Sequence, residues 1–251
     1  MPSFQHDNLE IAYLDEGEGE PIVLVHGFAS NKEINWVLPS WTVALKHAGR
    51  RVIALDNRGH GHSSKPHEAS AYTMPLMAGD TLALLDHLKI GRADYLGYSM
   101  GGRIGMYLAL NHPDRIRSAS LGGIGASIIS GPGRREQIIA ALSAKTAADV
   151  TDPVAKQFRV FAEQTKSDLK ALIACMDGLR VQFSEEELRR IRIPMLIVRG
   201  ADDGDIAGPG AEITRVIPGC EYIELPRRNH MTAVGDRAFK EGVTAFLEKR
   251  P

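Results

Sequence analysis

The segment Gly97–Gly101 reads Gly-Tyr-Ser-Met-Gly, and it limits the folds open to this chain more than any other stretch. Residues 92–96 before it end in apolar side chains, which is typical of a buried strand, and residues 102–110 read as the start of a helix rich in small residues. A serine on such a strand-to-helix turn has a strained backbone and an exposed hydroxyl. The glycines are required because a Cβ there would press on the neighbouring strand or helix. The pattern therefore predicts a reactive side chain at Ser99.

Three more apolar segments end in turns that carry glycine or polar residues. They are residues 21–28, ending in His-Gly-Phe; residues 51–63, ending in a glycine-rich turn; and residues 194–203, ending in two aspartates. Short apolar runs of this kind alternate with helical stretches along the chain, which indicates βαβ units and a mostly parallel sheet. An early antiparallel strand is predicted at residues 11–14, and a last strand at residues 222–225.

Taken together, these motifs give the chain a resemblance to the α/β-hydrolase superfamily. They follow the order typical of that family: a His-Gly-x loop, an Asp-x-Arg-Gly-x-Gly-x-Ser turn, the serine turn, a Gly-x-x-Asp turn and a late histidine. The resemblance spans nearly the whole chain. It implies an α/β fold with a mostly parallel, twisted sheet of about eight strands, flanked by helices and carrying a small helical cap as an insertion.

The stretch between residues 125 and 192 differs from the rest because its apolar residues recur at helical spacing only. Three apolar stripes carry this pattern: Ile138, Ile139 and Leu142; Val154, Phe158 and Phe161; and Leu169, Leu172, Ile173 and Met176. The resemblance identifies this stretch as the cap. We therefore expect a hydrolase core in residues 1–124 and 193–251, with the helical cap at 125–192. The alternative, that these helices only pack on the flank of the sheet, stays open.

Composition and charge limit the partners of this chain of 251 residues. Hydrophobic residues make up 43%, charged residues 24%, and the formal net charge is −1, which is ordinary for a soluble globular protein. This charge gives no electrostatic reason to expect nucleic acid or an anionic membrane as a partner. The N-terminus lacks the basic and apolar regions of a secretory signal. The expectation is a cytoplasmic monomer or homodimer with reduced thiols at Cys175 and Cys220.

The resemblance implies a catalytic triad in the chain order serine, acid, histidine. Ser99 is the predicted nucleophile, and His230, which follows the last predicted strand, is the predicted base. The family often has glycine directly before this histidine, whereas this chain has Asn229. Asparagine tolerates a positive φ better than most residues, so the departure is mild.

The acid of the triad has three candidates in one loop. Matching the Gly-x-x-Asp turn to residues 200–203 selects Asp203. Asp202 is then a turn-forming residue, because aspartate readily bonds its own backbone. Asp205 becomes the candidate if the loop is longer than usual.

Two backbone N–H groups, those of Phe28 and Met100, are expected to form an oxyanion hole. Met100 follows from its place at the start of the helix, and Phe28 follows from the resemblance. His60 and His62 form a His-x-His pair, but Ser-Ser follows it where similar binuclear metallohydrolases continue with Asp-His, so no metal is expected. The chain has no Gly-x-Gly-x-x-Gly or Walker loop, and no cofactor is expected.

The resemblance implies a serine hydrolase that cleaves a small to medium, largely apolar carboxylic ester or thioester through an acyl-enzyme. The apolar stripes of the expected cap favour acyl groups that are mainly hydrocarbon, so the expected partner is a small apolar ester-like molecule. C–C bond hydrolases and cofactor-free perhydrolases share these motifs and remain alternatives. A non-enzymatic small-molecule sensor with the same fold is a further alternative.

Overall fold

A sheet of eight strands forms the centre of the described part of the chain, which comprises residues 1–131, 133–204 and 206–250 of a computed structural model. The strands are β1 (Ser3–His6), β2 (Leu9–Glu16), β3 (Glu20–Val25), β4 (Arg50–Leu55), β5 (Ala93–Tyr98), β6 (Ile116–Gly122), β7 (Met195–Gly200) and β8 (Glu221–Leu225). They lie in the order β1-β2-β4-β3-β5-β6-β7-β8. β1 and β2 pair antiparallel, as do β2 and β4, whereas the pairs from β4 to β8 are parallel. The expectation of a mostly parallel sheet of about eight strands is confirmed.

Helices connect these strands and cover the sheet. They are α1 (Trp41–His47), α2 (Met74–His87), α3 (Met100–Asn111), α4 (Ser127–Ser130), α5 (Arg135–Ser143), α6 (Pro153–Gln164), α7 (Leu169–Gly178), α8 (Glu185–Leu188), α9 (Ala211–Val216) and α10 (Arg237–Lys249). In the described ranges, none of them has both the length and the hydropathy that crossing a bilayer requires.

Side chains of the central strands alternate between two buried cores, one on each face of the sheet. Ile22 and Leu24 of β3 pack with Trp41 in one core, and Val23 and Val25 pack in the other. Because both faces are covered, β3 is apolar at consecutive positions instead of alternating apolar with polar. Burying each of these side chains contributes about 1.5–3 kcal/mol to folding.

Five helices, α4 to α8, connect β6 to β7, and the described residues between these strands contain no strand. We call this segment, residues 125–192, the helical insertion. Asp152, Asp168 and Ser184 each accept hydrogen bonds from backbone N–H groups in the first turn of α6, α7 and α8. These side chains stabilise the helix starts, because the first N–H groups of a helix have no partner within it.

The turn from β5 into α3 is packed as the glycine pattern predicts. A Cβ on Gly101 would overlap the Val25 carbonyl oxygen of β3, and one on Gly97 would overlap the Gly101 carbonyl oxygen. A Cβ on Gly102 would lie 2.9 Å from Ile124 Cγ2. The backbone of α3 therefore lies against β3 and β5 at a distance that only glycine permits.

Two buried histidines support the loops that follow β3 and β4. His26 Nε2 accepts a hydrogen bond from the Asn57 N–H (3.0 Å), and its Nδ1 donates to the Gly27 carbonyl oxygen (2.7 Å). His60 Nδ1 donates to the Arg58 carbonyl oxygen (3.0 Å), and the His60 ring lies 5.3 Å from that of His26. Desolvation by burial lowers the pKa of His60 to about 3 and that of His26 below its usual value. Both rings are thus packed as neutral groups.

We expect Gly101→Ala to lower the free energy of unfolding by about 1–3 kcal/mol, because the new methyl group would meet the backbone of β3, which cannot move aside easily. Thermal and urea denaturation measure this loss. Gly91→Ala is the matched control, since a Cβ at Gly91 has no atom within 4 Å. Equal stability of the two variants would contradict the close packing of α3 against β3.

Acidification is expected to destabilise the fold through His60. In the unfolded chain this histidine has its ordinary pKa of about 6.5, whereas in the folded protein its pKa is about 3. The unfolded state therefore binds the proton first, so the stabilisation is complete above about pH 6.5 and is lost as the pH falls toward 3. Between pH 7 and 5, urea denaturation should show a fall about 2 kcal/mol larger for the unchanged protein than for His60→Gln. A parallel fall in both proteins would contradict this origin of acid sensitivity.

Candidate active site

Ser99 lies in the turn between β5 and α3 with a φ of 54° and a ψ of −110°. The positive φ is unfavourable for a residue with a Cβ. Two backbone hydrogen bonds stabilise it: the Ser99 N–H donates to the Gly122 carbonyl oxygen (2.8 Å), and the Ser99 carbonyl oxygen accepts from the Arg103 N–H (3.0 Å). Because α3 begins at Met100, the positive end of its helix dipole lies next to the serine.

His230 lies in the segment after β8 and reaches Ser99 from 131 residues away along the chain. Its Nε2 is 2.8 Å from Ser99 Oγ. The Tyr98 hydroxyl donates to the His230 carbonyl oxygen (2.7 Å), which fixes the backbone that carries the ring. The Asn229 side-chain oxygen accepts from the N–H groups of Met231 and Thr232, so it stabilises the turn at His230.

Asn229 stands where the family often has glycine, but it does not need a positive φ there. Asn229 is not among the residues with a positive φ. It contributes instead through its side chain, which forms the turn hydrogen bonds that a glycine could not form.

Asp203 is the aspartate that the structure places against His230. Its Oδ1 lies 2.8 Å from His230 Nδ1, and both side chains are buried. Asp202 is exposed, and its backbone N–H donates to the Arg228 carbonyl oxygen. Asp205, the other alternative for the acid, lies outside the described residues.

The two hydrogen bonds of His230 determine which ring nitrogen carries the proton. An ionised carboxylate only accepts hydrogen bonds, so His230 Nδ1 must be the donor to Asp203. The neutral ring then has its lone pair on Nε2, where it can accept the hydroxyl proton of Ser99. This is the arrangement that a general base needs in order to activate a serine.

Phe28 and Met100, the residues predicted to form the oxyanion hole, both lie near Ser99. Phe28 is in the loop after β3, and a Cβ on its neighbour Gly27 would lie 3.3 Å from Ser99 Cβ. The Gly27 N–H donates to the Asn35 side-chain oxygen (3.0 Å), which holds this loop in place. The Met100 N–H belongs to the first turn of α3, where backbone N–H groups lack helical partners and can bind an anion.

Two clefts meet at Ser99, and the Phe28 and Phe158 side chains line both of them. The first, which we call the insertion cleft, encloses about 770 Å³ including its open mouth. Its wall consists mainly of side chains from the helical insertion, among them Ile138, Val154, Phe158, Met176, Leu179 and Val181. The second, the loop cleft, encloses about 590 Å³ and is lined by the loops after β3 and β8 together with α6.

Sequence reasoning did not identify two polar residues at this site. The Tyr98 hydroxyl supports the His230 backbone (2.7 Å). Arg103 lines the insertion cleft one helical turn beyond Ser99, in a segment that reads only as a packing helix. Its spacing of four residues from the serine was the available signal, because residues at i and i+4 share a helix face.

The remaining titratable candidates lie away from the reacting atoms or are inert. Cys175 is a free thiol whose Sγ lies 3.8 Å from the Met100 sulfur, and burial raises its pKa far above the usual range. Cys220 is also free, as expected. His62 is exposed, and its backbone N–H donates to Asp56. In the part of the chain that the structure describes, no group of three or more His, Cys, Asp or Glu side chains is arranged to hold a metal ion.

Comparison with known proteins agrees with this architecture. A family model described as the alpha/beta hydrolase fold matches residues 20–135. The 3-oxoadipate enol-lactonase 2 of Acinetobacter baylyi is 30% identical over 221 residues, which cover 79% of this chain and 79% of that protein. The dihydrolipoyllysine-residue acetyltransferase component of the acetoin cleaving system of Pseudomonas putida is 30% identical over 92% of this chain, which spans 64% of that longer relative.

A solved structure of a related protein has the same fold over nearly the full length of this chain. The enol-lactonase of Burkholderia xenovorans LB400 superposes with a TM-score of 0.78 at 27% identity, covering 99% of this chain and all of that one. Fold, sequence motifs and relatives therefore agree, and the chain belongs to the α/β-hydrolase fold family of enzymes.

Proposed function

We propose that this protein is a serine hydrolase that cleaves small to medium, largely apolar carboxylic esters, thioesters or lactones through an acyl-enzyme. The main support is the chain of hydrogen bonds from Asp203 through His230 to Ser99, at the point where two clefts meet. The two enol-lactonases among its relatives support the inclusion of cyclic esters. C–C bond hydrolysis and perhydrolysis would use the same three residues and stay alternatives.

In the first half of the proposed reaction, Ser99 Oγ attacks the ester carbonyl carbon while His230 Nε2 takes its proton. Asp203 holds the imidazole in the required tautomer and stabilises the imidazolium that forms. The carbonyl oxygen becomes an anion, which the N–H groups of Phe28 and Met100 would bind. One donor of this kind typically lowers the barrier by about 2.7–4 kcal/mol.

The second half of the reaction releases both products. His230 returns its proton to the departing alcohol oxygen, the C–O bond breaks, and the acyl group remains on Ser99. Water then enters, loses a proton to the same histidine and attacks the acyl-enzyme, giving the free acid and the original serine. The sum is one ester and one water converted to one acid and one alcohol.

The helical insertion is proposed to act as the cap of this site, dividing the chain into a core of residues 1–124 and 193–251 and a cap of 125–192. Its apolar side chains form most of the insertion cleft. Apolar walls exclude water from a bound acyl chain, which favours hydrocarbon substrates and strengthens the electrostatic contacts to the reacting atoms.

Ser99→Ala is expected to reduce hydrolysis of 4-nitrophenyl butyrate by about 10⁴-fold or more and to abolish labelling by a fluorophosphonate, because both reactions need the serine oxygen. Initial rates and in-gel labelling measure the two effects. Ser143→Ala, on the exposed surface of α5, is the matched control, and it should keep both the ester hydrolysis and the labelling. Full labelling of Ser99→Ala would rule out Ser99 as the nucleophile.

Asp203→Asn is expected to lower kcat for the same ester by about 10³–10⁴-fold, because an amide no longer enforces the productive tautomer of His230. Asp202→Asn removes the neighbouring charge in the same loop without touching His230, and it should change kcat by less than about threefold. Steady-state kinetics on both variants make the comparison. A larger loss of kcat in Asp202→Asn than in Asp203→Asn would assign the acid to Asp202.

A further inference from the structure

Arg103 is a buried cation on the same helix face as Ser99. It follows the serine by one turn of α3, and its backbone N–H donates to the Ser99 carbonyl oxygen (3.0 Å). Residues at i and i+4 share a helix face, so Arg103 and Ser99 lie on the same side of α3. It lines the insertion cleft although only 8% of the residue is exposed.

Only one of the two terminal nitrogens of the Arg103 guanidinium has a hydrogen-bond partner within the described residues. Its Nη2 donates to the carbonyl oxygen and to the hydroxyl of Ser127, at 3.1 and 3.0 Å. Its Nη1 is buried and has no hydrogen-bond partner within the described residues. A buried charged donor without a partner is costly, by far more than a neutral one. Burial lowers the pKa of Arg103 only to about 10, so the group is cationic at neutral pH.

Other buried arginines in this protein are paired with carboxylates, which makes Arg103 distinct. Arg58 donates to both oxygens of Asp80 at 2.7 Å. Arg159 donates to Glu163 at 2.8 Å and to backbone carbonyls as well. Within the described ranges, no carboxylate forms an ion pair with Arg103. Its missing partner is therefore of the kind that a ligand in the cleft can supply.

The insertion cleft has the charge that such a ligand requires. Two arginines, Arg103 and Arg134, line it, and its described lining residues include no acidic side chain. Arg134 differs from Arg103 because its Nη1 pairs with Asp152 at 2.6 Å. Apart from Ser99, the other described lining residues are apolar or glycine. A hydrocarbon chain that ends in an anion matches this combination.

We propose that the acyl group of the substrate carries a carboxylate that binds Arg103 Nη1 in the insertion cleft. The substrate class is then a monoester or lactone of a dicarboxylic acid, with an apolar chain between the scissile carbonyl and the free carboxylate. This inference rests on the proposed hydrolase function and specifies its substrate. A planar carboxylate suits the guanidinium because each N–H···O bond to a charged partner is short and strong.

The test compares two esters that differ only at the far end of the acyl chain, mono(4-nitrophenyl) adipate and 4-nitrophenyl hexanoate. The unchanged protein should prefer the adipate ester in kcat/KM. In Arg103→Met the ratio of kcat/KM between the two esters should fall roughly 10- to 100-fold, the range expected for loss of a hydrogen bond between charged groups. Arg103→Lys, which keeps the charge, should restore part of the ratio. Thermal denaturation of each variant checks that it is folded.

Arg134→Met is the matched comparison, since Arg134 lines the same cleft but is paired with Asp152. In Arg134→Met, the ratio of kcat/KM between the two esters should change less than in Arg103→Met. The inference is overturned if the unchanged protein shows no preference for the adipate ester. It is also overturned if Arg103→Met keeps the preference while Arg134→Met loses it.

A binding measurement separates this inference from the proposed function. Adipate should raise the melting temperature of Ser99→Ala, which cannot turn over an ester, and the double variant Ser99→Ala/Arg103→Met should lose that shift. If neither ester is hydrolysed, the proposed function fails, and the melting shift alone decides the carboxylate site. The carboxylate site is then overturned if adipate does not raise the melting temperature of Ser99→Ala, or if it raises that of both variants equally.

Discussion

The close approach of α3 to β3 is the constraint on which the rest of the site depends. Only glycine fits at position 101, because any Cβ there would overlap the Val25 carbonyl oxygen. The Gly101 carbonyl oxygen also accepts a hydrogen bond from the buried Tyr95 hydroxyl (2.6 Å), which ties the start of α3 to β5. With both ends of the turn fixed, Ser99 adopts a positive φ that costs about 1–3 kcal/mol in isolation. The surrounding packing supplies that energy and holds the hydroxyl in one direction.

The parallel sheet brings the other two groups of the site to the same edge. Ser99 follows β5, Asp203 follows β7, and His230 follows β8, so all three lie beyond the carboxyl ends of parallel strands. Ligands bind at this edge in open α/β sheets because the loops that follow successive strands converge there. The Tyr98 hydroxyl, bonded to the His230 carbonyl oxygen, links the serine turn directly to the histidine loop. Displacement of either loop would therefore disturb the other.

The parts of this structure that sequence could predict are those with a local cause. The glycines around Ser99 reveal the turn because each excludes a specific steric overlap, and the parallel strands follow from short apolar runs. β1 and α9 were missed, since four and six residues carry too little periodicity to be recognised. Asn229 replaces the usual glycine without a positive φ, because its amide forms the turn hydrogen bonds instead.

The hydrogen-bond partners of Tyr98 and Arg103 could not be predicted from sequence, because these partners lie in distant segments of the chain. Tyr98 bonds a residue 132 positions away, and Arg103 bonds Ser127, 24 positions away. A tyrosine or arginine beside a glycine-rich turn has many possible partners until the fold is known. The division of the chain into core and cap, and the oligomeric state, stay predictions.

A single charge in an apolar cleft changes which acyl chains the cleft binds. Apolar walls alone discriminate weakly, because one methylene group more or less alters binding by only about 1–3 kcal/mol. A buried guanidinium with an unused N–H discriminates more strongly, since a neutral acyl chain leaves it desolvated and unpaired whereas a carboxylate pairs with it. The apolar stripes of the helical insertion and the cation at Arg103 therefore act together. In the proposed complex, the walls exclude water and strengthen the single charged contact, and that contact selects an acyl chain with a carboxylate at the end farthest from the scissile carbonyl.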